Sequence, residues 1–524
     1  MHVCLLPTEI LLHIFTIGND GRFRDFSAQL AVLARTCRKF KEPALDVLWK
    51  HLNGFKPLIS CLPEGVSNRD RRGNLTLRRP LLAGEWRLIH QYARRVHSFT
   101  VSGSELDIID NHVMQALMSA PSPTSIFPNL RSLRWCDDRE HFFPLLRTLL
   151  GSTITSVRVG FLSNSSFAQS ALLTSLGGRC PSIRELNCVC TGGSPESSDA
   201  ICESLSGLRE LSRLDTGTLS PQEFLRLASL PALKSLCFRL GAYDAHEMQC
   251  NSTPTVSPKL EEVDFTVLSM SEVEHFLRGV RLPSCRSARM YIHYDYRDLN
   301  YALVPYDPLH IPDFIVSLSE CLSPALEKLH VKFEFNFTDV REAIFASHSY
   351  VLGFNAVAPL LPFNRLIDLR LDWLCTSAID DASFKTLAQS WPQLEQFYFG
   401  GAACWLIPPS MTFTALFHLI QHCPRLHTIQ MSFCATPVDY DNDPFFFETI
   451  PNEEITTLSV GMSPISDPCA VVYILLRLLP KLEYVYFLGW LDDDTHALPP
   501  FEDLEDGWTA VNEILADNDH HKLE

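Results

Sequence analysis

Pro231-Ala232-Leu233-Lys234-Ser235-Leu236-Cys237-Phe238 and Pro258-Lys259-Leu260-Glu261-Glu262-Val263-Asp264-Phe265 are one phrase written twice. A proline is followed by x-Leu-x-x-apolar-x-apolar, and the first leucines stand 27 residues apart. The phrase recurs at 128–135, 181–186, 324–329, 366–371, 392–397, 424–429 and 480–487, with weaker copies from Val96, Ile154, Leu211, Cys285 and Ile455. Its closing positions alternate apolar with polar, which predicts a short strand with one face buried. Stretches that precede the phrase, such as 224–228, Phe276-Leu277 and 384–388, have helical spacing instead. A single strand and helix cannot cover their own apolar sides, so the expected fold is an α/β solenoid of stacked units.

The spacing from Leu394 to Leu426 is 32, from Leu426 to Ile455 is 29, and from Ile455 to Leu482 is 27. These approach the roughly 20–29 residues of a leucine-rich repeat, and the phrase resembles that family. The usual Asn or Cys that ties one turn to the next is mostly missing, Cys434 after Met431 being a match, so the repeats resemble the divergent ones behind F-boxes in fungal proteins. The resemblance implies a horseshoe. Longer intervals, 41 from Cys285 to Leu326 and 40 from Leu326 to Leu366, place insertions near 294–312 and 335–362, where loops are expected.

The first fifty residues read differently. Ile10, Leu11, Ile14 and Phe15 have helical spacing behind Pro7-Thr8, and a loop at Gly18-Asn19-Asp20-Gly21 ends that helix. A second stripe is Leu30, Leu33, Ala34 and Cys37; a third is Ala44, Leu45, Leu48, Trp49 and Leu52, with Pro43 expected in the third helix's first turn. So small a module has little core of its own, and apolar side chains left outside need a partner. The run Leu6-Pro7-Thr8-Glu9-Ile10-Leu11-Leu12-His13-Ile14-Phe15, then Cys37-Arg38-Lys39-Phe40, then Leu48-Trp49-Lys50-His51-Leu52, resembles an F-box. The resemblance implies docking on a Skp-type adaptor, which bridges to cullin and RING subunits of an SCF ubiquitin ligase. Carried onto this sequence, Leu6, Pro7, Ile10, Leu11, Ile14 and Phe15 would form the adaptor-facing helix, with Arg38, Leu48 and Trp49 supporting it. Gly18 to Phe26 departs from the family's usual turn.

Composition agrees with a folded chain and narrows its chemistry. Of the 524 residues 46% are hydrophobic and 20% charged, which excludes an intrinsically disordered protein. Lys+Arg number 44 against 61 Asp+Glu, and the net charge of −17 argues against a nucleic-acid partner. Pro7 and Glu9 interrupt any secretory segment, and the apolar run 469–476 stops at Arg477, far short of a bilayer span. The expectation is an intracellular protein, cytoplasmic or nuclear, with its 17 cysteines reduced and buried, as at Cys37, Cys237 and Cys423, and its sequons at Asn74, Asn164, Asn251 and Asn336 unused. The Arg-rich stretch from Arg69 to Arg79 reads as a linker.

No catalytic signature accompanies these features, and no cofactor or metal is expected. Cys-x-x-Cys is absent, Cys188-Val189-Cys190 has the wrong spacing for zinc, and His418 and His422 lack a third ligand, which points to helix surface. There is no phosphate loop and no Gly-x-Ser-x-Gly elbow. Residues alternating with the inward leucines are the candidate target contacts: Arg134, Arg158, Arg239, Arg289, Lys328, His330, Lys332 and Arg370, interleaved with Glu185, Asp264 and Asp368, then Tyr398, Gln430, Tyr484 and Tyr486. Such a face suits an acidic or phosphorylated protein, or is solvated surface. The division expected is 1–52 F-box, 53–90 linker, 91–490 repeats, and 491–524 a capping helix around Trp508, Val511 and Leu515 with an acidic tail. The reading is a non-catalytic substrate receptor, the alternative a repeat scaffold without coupling to ubiquitin.

Overall fold

The structure, a computed structural model, describes residues 6–18, 26–69, 73–120, 125–164, 167–188, 190–192, 205, 207–241, 254–257, 259–268, 270–293, 310–334, 346–372, 374–401, 406–436, 448–487 and 499–522. Most of the first expected insertion, the 335–345 part of the second, Asn251, Asn336 and the acids Asp492-Asp493-Asp494 lie outside these residues. Two units are distinguished, 1–233 and 234–524.

The first unit begins with three helices, α1 (Thr8–Gly18), α2 (Phe26–Thr36) and α3 (Arg38–Lys50). Leu11 and Phe15 from α1, Leu30 from α2, and Ala44 and Val47 from α3 make their shared core. Pro43 sits in the interior of α3 rather than in its first turn, because the helix starts at Arg38 and brings Phe40 edge-on to Phe15 at 5.9 Å between centroids. That packing outweighs the hydrogen bond a proline cannot donate. Leu52 likewise leaves the helix, belonging to β1 (His51–Asn53).

From β1 a parallel ladder runs through β2 (Ser98–Ser102), β3 (Ser132–Cys136), β4 (Ser156–Val159), β5 (Glu185–Cys188) and β6 (Arg213–Leu219). Leu52, Phe99, Leu133, Val157, Leu186 and Leu214 form one buried row across it, so the apolar alternation fixes register as period two requires. The stretch expected as a linker is largely built: it holds the end of β1, a helix Lys56–Ser60, a hairpin of Ser67–Arg69 with Leu75–Leu77, and most of a helix Ala83–Ala93. Its Pro and Gly residues punctuate turns between short elements rather than a free tether; Gly65 and Gly73, for instance, adopt positive φ at 89° and 86°.

The second unit repeats the scheme in nine parallel strands, β7 (Ser235–Leu240), β8 (Glu262–Val267), β9 (Ser287–His293), β10 (Lys328–Glu334), β11 (Asp368–Leu371), β12 (Gln396–Phe399), β13 (Thr428–Met431), β14 (Thr457–Gly461) and β15 (Tyr484–Phe487). Helices such as Met270–Gly279, Ile311–Cys321, Asp381–Ser390 and Phe413–His422 lie between successive strands. Residues 346–360 of the second expected insertion form short helical turns that bury Tyr350, Val357 and Leu360.

Backbone replaces the missing Asn ladder. In many turns the carbonyl just before the strand accepts two consecutive N–H groups of the next turn: Arg131 from Thr155 and Ser156 at 2.8 and 3.0 Å, Glu261 from Arg286 and Ser287 at 2.7 and 3.1 Å, Arg286 from Glu327 and Lys328 at 2.8 and 2.9 Å. A main-chain ladder asks for no particular side chain, which is how irregular repeats still satisfy their buried polar groups. Asn452 supplies a side-chain version, donating to the Leu426 carbonyl at 2.7 Å and accepting from Glu454 and Ile455 N–H.

The strand β15 is closed by the helix Pro499–Lys522, where Trp508, Val511 and Leu515 are buried. Asn512 donates to the Val485 carbonyl at 2.9 Å and accepts the Val485 N–H at 2.8 Å, occupying edge groups that invite foreign strands. Of the cysteines, Cys180, Cys188, Cys285, Cys321, Cys375 and Cys423 are buried, Cys37 and Cys237 only partly, and Cys469 is exposed. No helix among the described residues is long and apolar enough to cross a membrane.

Candidate functional site

Two apolar stripes share α1, one residue apart. Leu11 and Phe15 turn into the core, while Ile10, Ile14 and Ile17 are 45%, 47% and 57% exposed. Three isoleucines at i, i+4 and i+7 make a continuous face on the solvent side, the arrangement a partner helix or groove would cover. Val32 on α2 is a further exposed apolar residue of the module, 60% open. The sequence-predicted set therefore divides: Ile10, Ile14, Pro7 and Arg38 are exposed, Leu6 and Leu48 are half-buried and pack on the core, and Leu11, Phe15 and Trp49 are buried. Ile17 and Val32 were not singled out, although Ile17 continues the spacing of Ile10 and Ile14.

The module is fastened to the ladder without a tether. Helix α3 runs straight into β1, His97 N–H donates to the Lys50 carbonyl at 2.9 Å, and Trp49 stacks on Tyr92 at 4.7 Å between rings. The buried guanidinium of Arg95 bridges Glu42 and Asp46 of α3. Burial works against its charge, but the hydrogen bond it donates to Glu42 and the charges of both carboxylates more than offset that and raise its pKa; the same hydrogen bond lowers that of Glu42.

The outward rows of the ladder carry the predicted target residues. In the first unit Arg134 and Arg158 are direct neighbours across β3 and β4, both exposed and without an ion pair among the described residues. Thr100 lies on one side of them and Asn187, bonded to Asp215, on the other. In the second unit the row through β8 to β15 reads Asp264, Arg289, His330, Arg370, Tyr398, Gln430, Ser459 and Tyr486.

Much of that second row is neutralised internally. Asp264 stands 3.8 Å from Arg289; Asp368 takes His330 at 2.7 Å and Arg370 at 3.0 Å; Arg370 also donates to Gln396 at 2.6 Å and lies 4.4 Å over the Tyr398 ring. Burial alone would raise the Asp368 pKa, but His330 and Arg370 together hold it below the ordinary carboxylate value. Asp372, just beyond β11, is the opposite case: burial pushes it up to about 6, with Arg370 and Lys332 only partly countering. Arg239, Lys328 and Lys332 are exposed, and Tyr484 and Tyr486 pair edge to face at 4.9 Å, each about half open.

Among the described residues no cluster of three or more His, Cys, Asp or Glu could hold a metal. His418, expected on helix surface, is 7% exposed, because its helix packs against Asp381–Ser390. Desolvation lowers its pKa to about 4, and its ring stacks with His422 at 6.1 Å. Cys188, buried at the end of β5, points inward toward Thr216.

Comparison with known families matches residues 3–53 to the F-box-like family, and the N-terminal module is an F-box-like domain. The units behind it, parallel strands alternating with helices, have the architecture expected of leucine-rich repeats. Comparison with curated proteins finds no match. Among solved structures the chain is similar to one in the complex of Rad7 and Elc1 from yeast, at 14% identity over 78% of this chain and 88% of that one, with a TM-score of 0.34. It is also similar to the leucine-rich repeat-containing protein LegL7 of Legionella pneumophila, at 12% identity over 83% and 96%, with a TM-score of 0.26.

Proposed function

We propose that the chain is the substrate-recognition subunit of an SCF ubiquitin ligase: α1 docks on a Skp-type adaptor, and the outward strand face of the repeats holds a protein target. The observation that carries the proposal is the exposed stripe Ile10, Ile14 and Ile17 on an F-box-like domain whose other apolar stripe is already spent on its own core. Chemistry then belongs to the recruited subunits, and this chain contributes proximity, which raises effective concentration without a catalytic group. The adjacent Arg134 and Arg158 favour an acidic or phosphorylated segment of the target, since guanidinium pairs with carboxylate and phosphate in two-pronged fashion. The alternative is a repeat scaffold that binds partners without promoting ubiquitin transfer.

Reconstitution separates the two. With adaptor, cullin, RING subunit, conjugating enzyme and ubiquitin, the intact chain or a protein it captures should acquire ubiquitin conjugates only when the adaptor is present. Adaptor binding without any adaptor-dependent conjugate would select the scaffold.

A further inference from the structure

The hairpin and the loop 78–82 interrupt a ladder that does not need them, since β1 and β2 pair directly across the excursion. The excursion is nevertheless pinned at both ends. Leu75 N–H donates to the Ile108 carbonyl at 2.6 Å and its own carbonyl accepts from Asp110 at 3.0 Å. Glu85, buried at the start of its helix, accepts the Leu82 N–H at 2.7 Å and the Arg79 guanidinium at 2.6 and 3.0 Å.

Between these fixed walls is a cavity of about 540 Å³, within the ~300–1,000 Å³ typical of small-molecule sites. Leu77, Leu81, Trp86 and Ala116 supply its apolar lining, with the Arg78 guanidinium and the His112 imidazole at its rim. The nearby charges nearly cancel. Arg79 is matched by Glu85, and His112 Nδ1 lies 3.2 Å from Asp110, whereas exposed Arg78 has no ion pair or side-chain hydrogen bond among the described residues. Arg78 is left as a cation that no carboxylate among the described residues matches. A planar guanidinium fork fits a carboxylate, and a second negative charge on the ligand would meet Glu85 and Asp110.

We infer that this cavity binds a small amphiphilic monocarboxylate, its apolar body against Leu77 and Trp86 and its carboxylate on Arg78. Neither the adaptor nor a target enters the inference, so it stands or falls apart from the ligase proposal. The test is a ligand-observed NMR titration of the full chain with octanoate below its micelle threshold, beside 1-octanol as the uncharged control. Octanoate should bind saturably, and Arg78→Gln, a change at an exposed residue, should weaken it by about tenfold while leaving 1-octanol unaffected. Ala116→Trp, which fills the cavity, should abolish both, with circular dichroism confirming the fold. Absence of saturable octanoate binding, or equal binding by Arg78→Gln and the unaltered chain, would overturn the inference; if Ala116→Trp fails to fold, the Arg78→Gln comparison decides alone.

Discussion

Ile10 and Leu11 are chain neighbours with opposite fates, and the contrast yields a sharp pair of expectations. Leu11→Ala opens a cavity in a small core and should cost about 2–4 kcal/mol, whereas Ile10→Asp, on an exposed helix face, should change stability by less than about 1 kcal/mol. Thermal melts of the two variants check this; equal losses would mean Ile10 is covered within the chain. The helical spacing marked both residues as apolar, but period alone cannot say which of two adjoining stripes meets the core. Arg95 was invisible to the same reading, because its partners Glu42 and Asp46 come from about fifty residues earlier and only the folded chain joins them. Replacing it with Met, which keeps the buried stem, should cost about 1–2 kcal/mol, below the full value of buried charge pairs since both carboxylates are about half open to solvent. Urea unfolding followed through the Trp49 environment reads it, and an unchanged midpoint would remove Arg95 as the clamp.

At the level of elements, strands were legible because each presents the period-two phrase, and their register followed from it. What the phrase could not convey was the backbone ladder, which depends on main-chain groups that every residue shares. Leu52 was assigned to a helix for a related reason: its spacing from Leu48 suits α3, and only pairing with Phe99 pulls it into β1. His418 was misplaced because a polar side chain was read as surface on a helix that neighbours cover on more than one side. The end of β11 makes a pH prediction. Asp372 has a folded pKa near 6 against 3.8 for the free group, so its contribution to stability is full below about pH 3.8 and is lost as pH rises through 6. Relative to Asp372→Asn, the unaltered chain should therefore lose about 1–3 kcal/mol between about pH 4 and about pH 7. Parallel pH profiles from both proteins would contradict the raised value. The closing helix makes another: Asn512→Leu strands the Val485 N–H and carbonyl at the edge of β15, and light scattering should detect self-association beyond that of the unaltered chain. A monodisperse variant of unaltered mass would assign edge protection elsewhere.

For the whole molecule, the repeats and the N-terminal module were both readable, since each is a pattern of apolar residues at fixed spacing. The outward strand face was readable only as a list of positions. Charge on that face is not a property of single residues: Asp264 cancels Arg289 of the neighbouring strand and Asp368 cancels Arg370 within β11, while Arg134 and Arg158 reinforce one another. The excursion at 53–90 escaped because its elements are too short to show a period. The central claim concerns the exposed stripe of α1. Its most direct test is co-purification of the intact chain with a Skp-type adaptor and cullin beside an Ile10→Asp, Ile14→Asp variant whose melting temperature is unchanged. Retention of both partners by the intact chain and their loss from the variant is the predicted result; failure of the intact chain to bind, or equal binding by the folded variant, would contradict it.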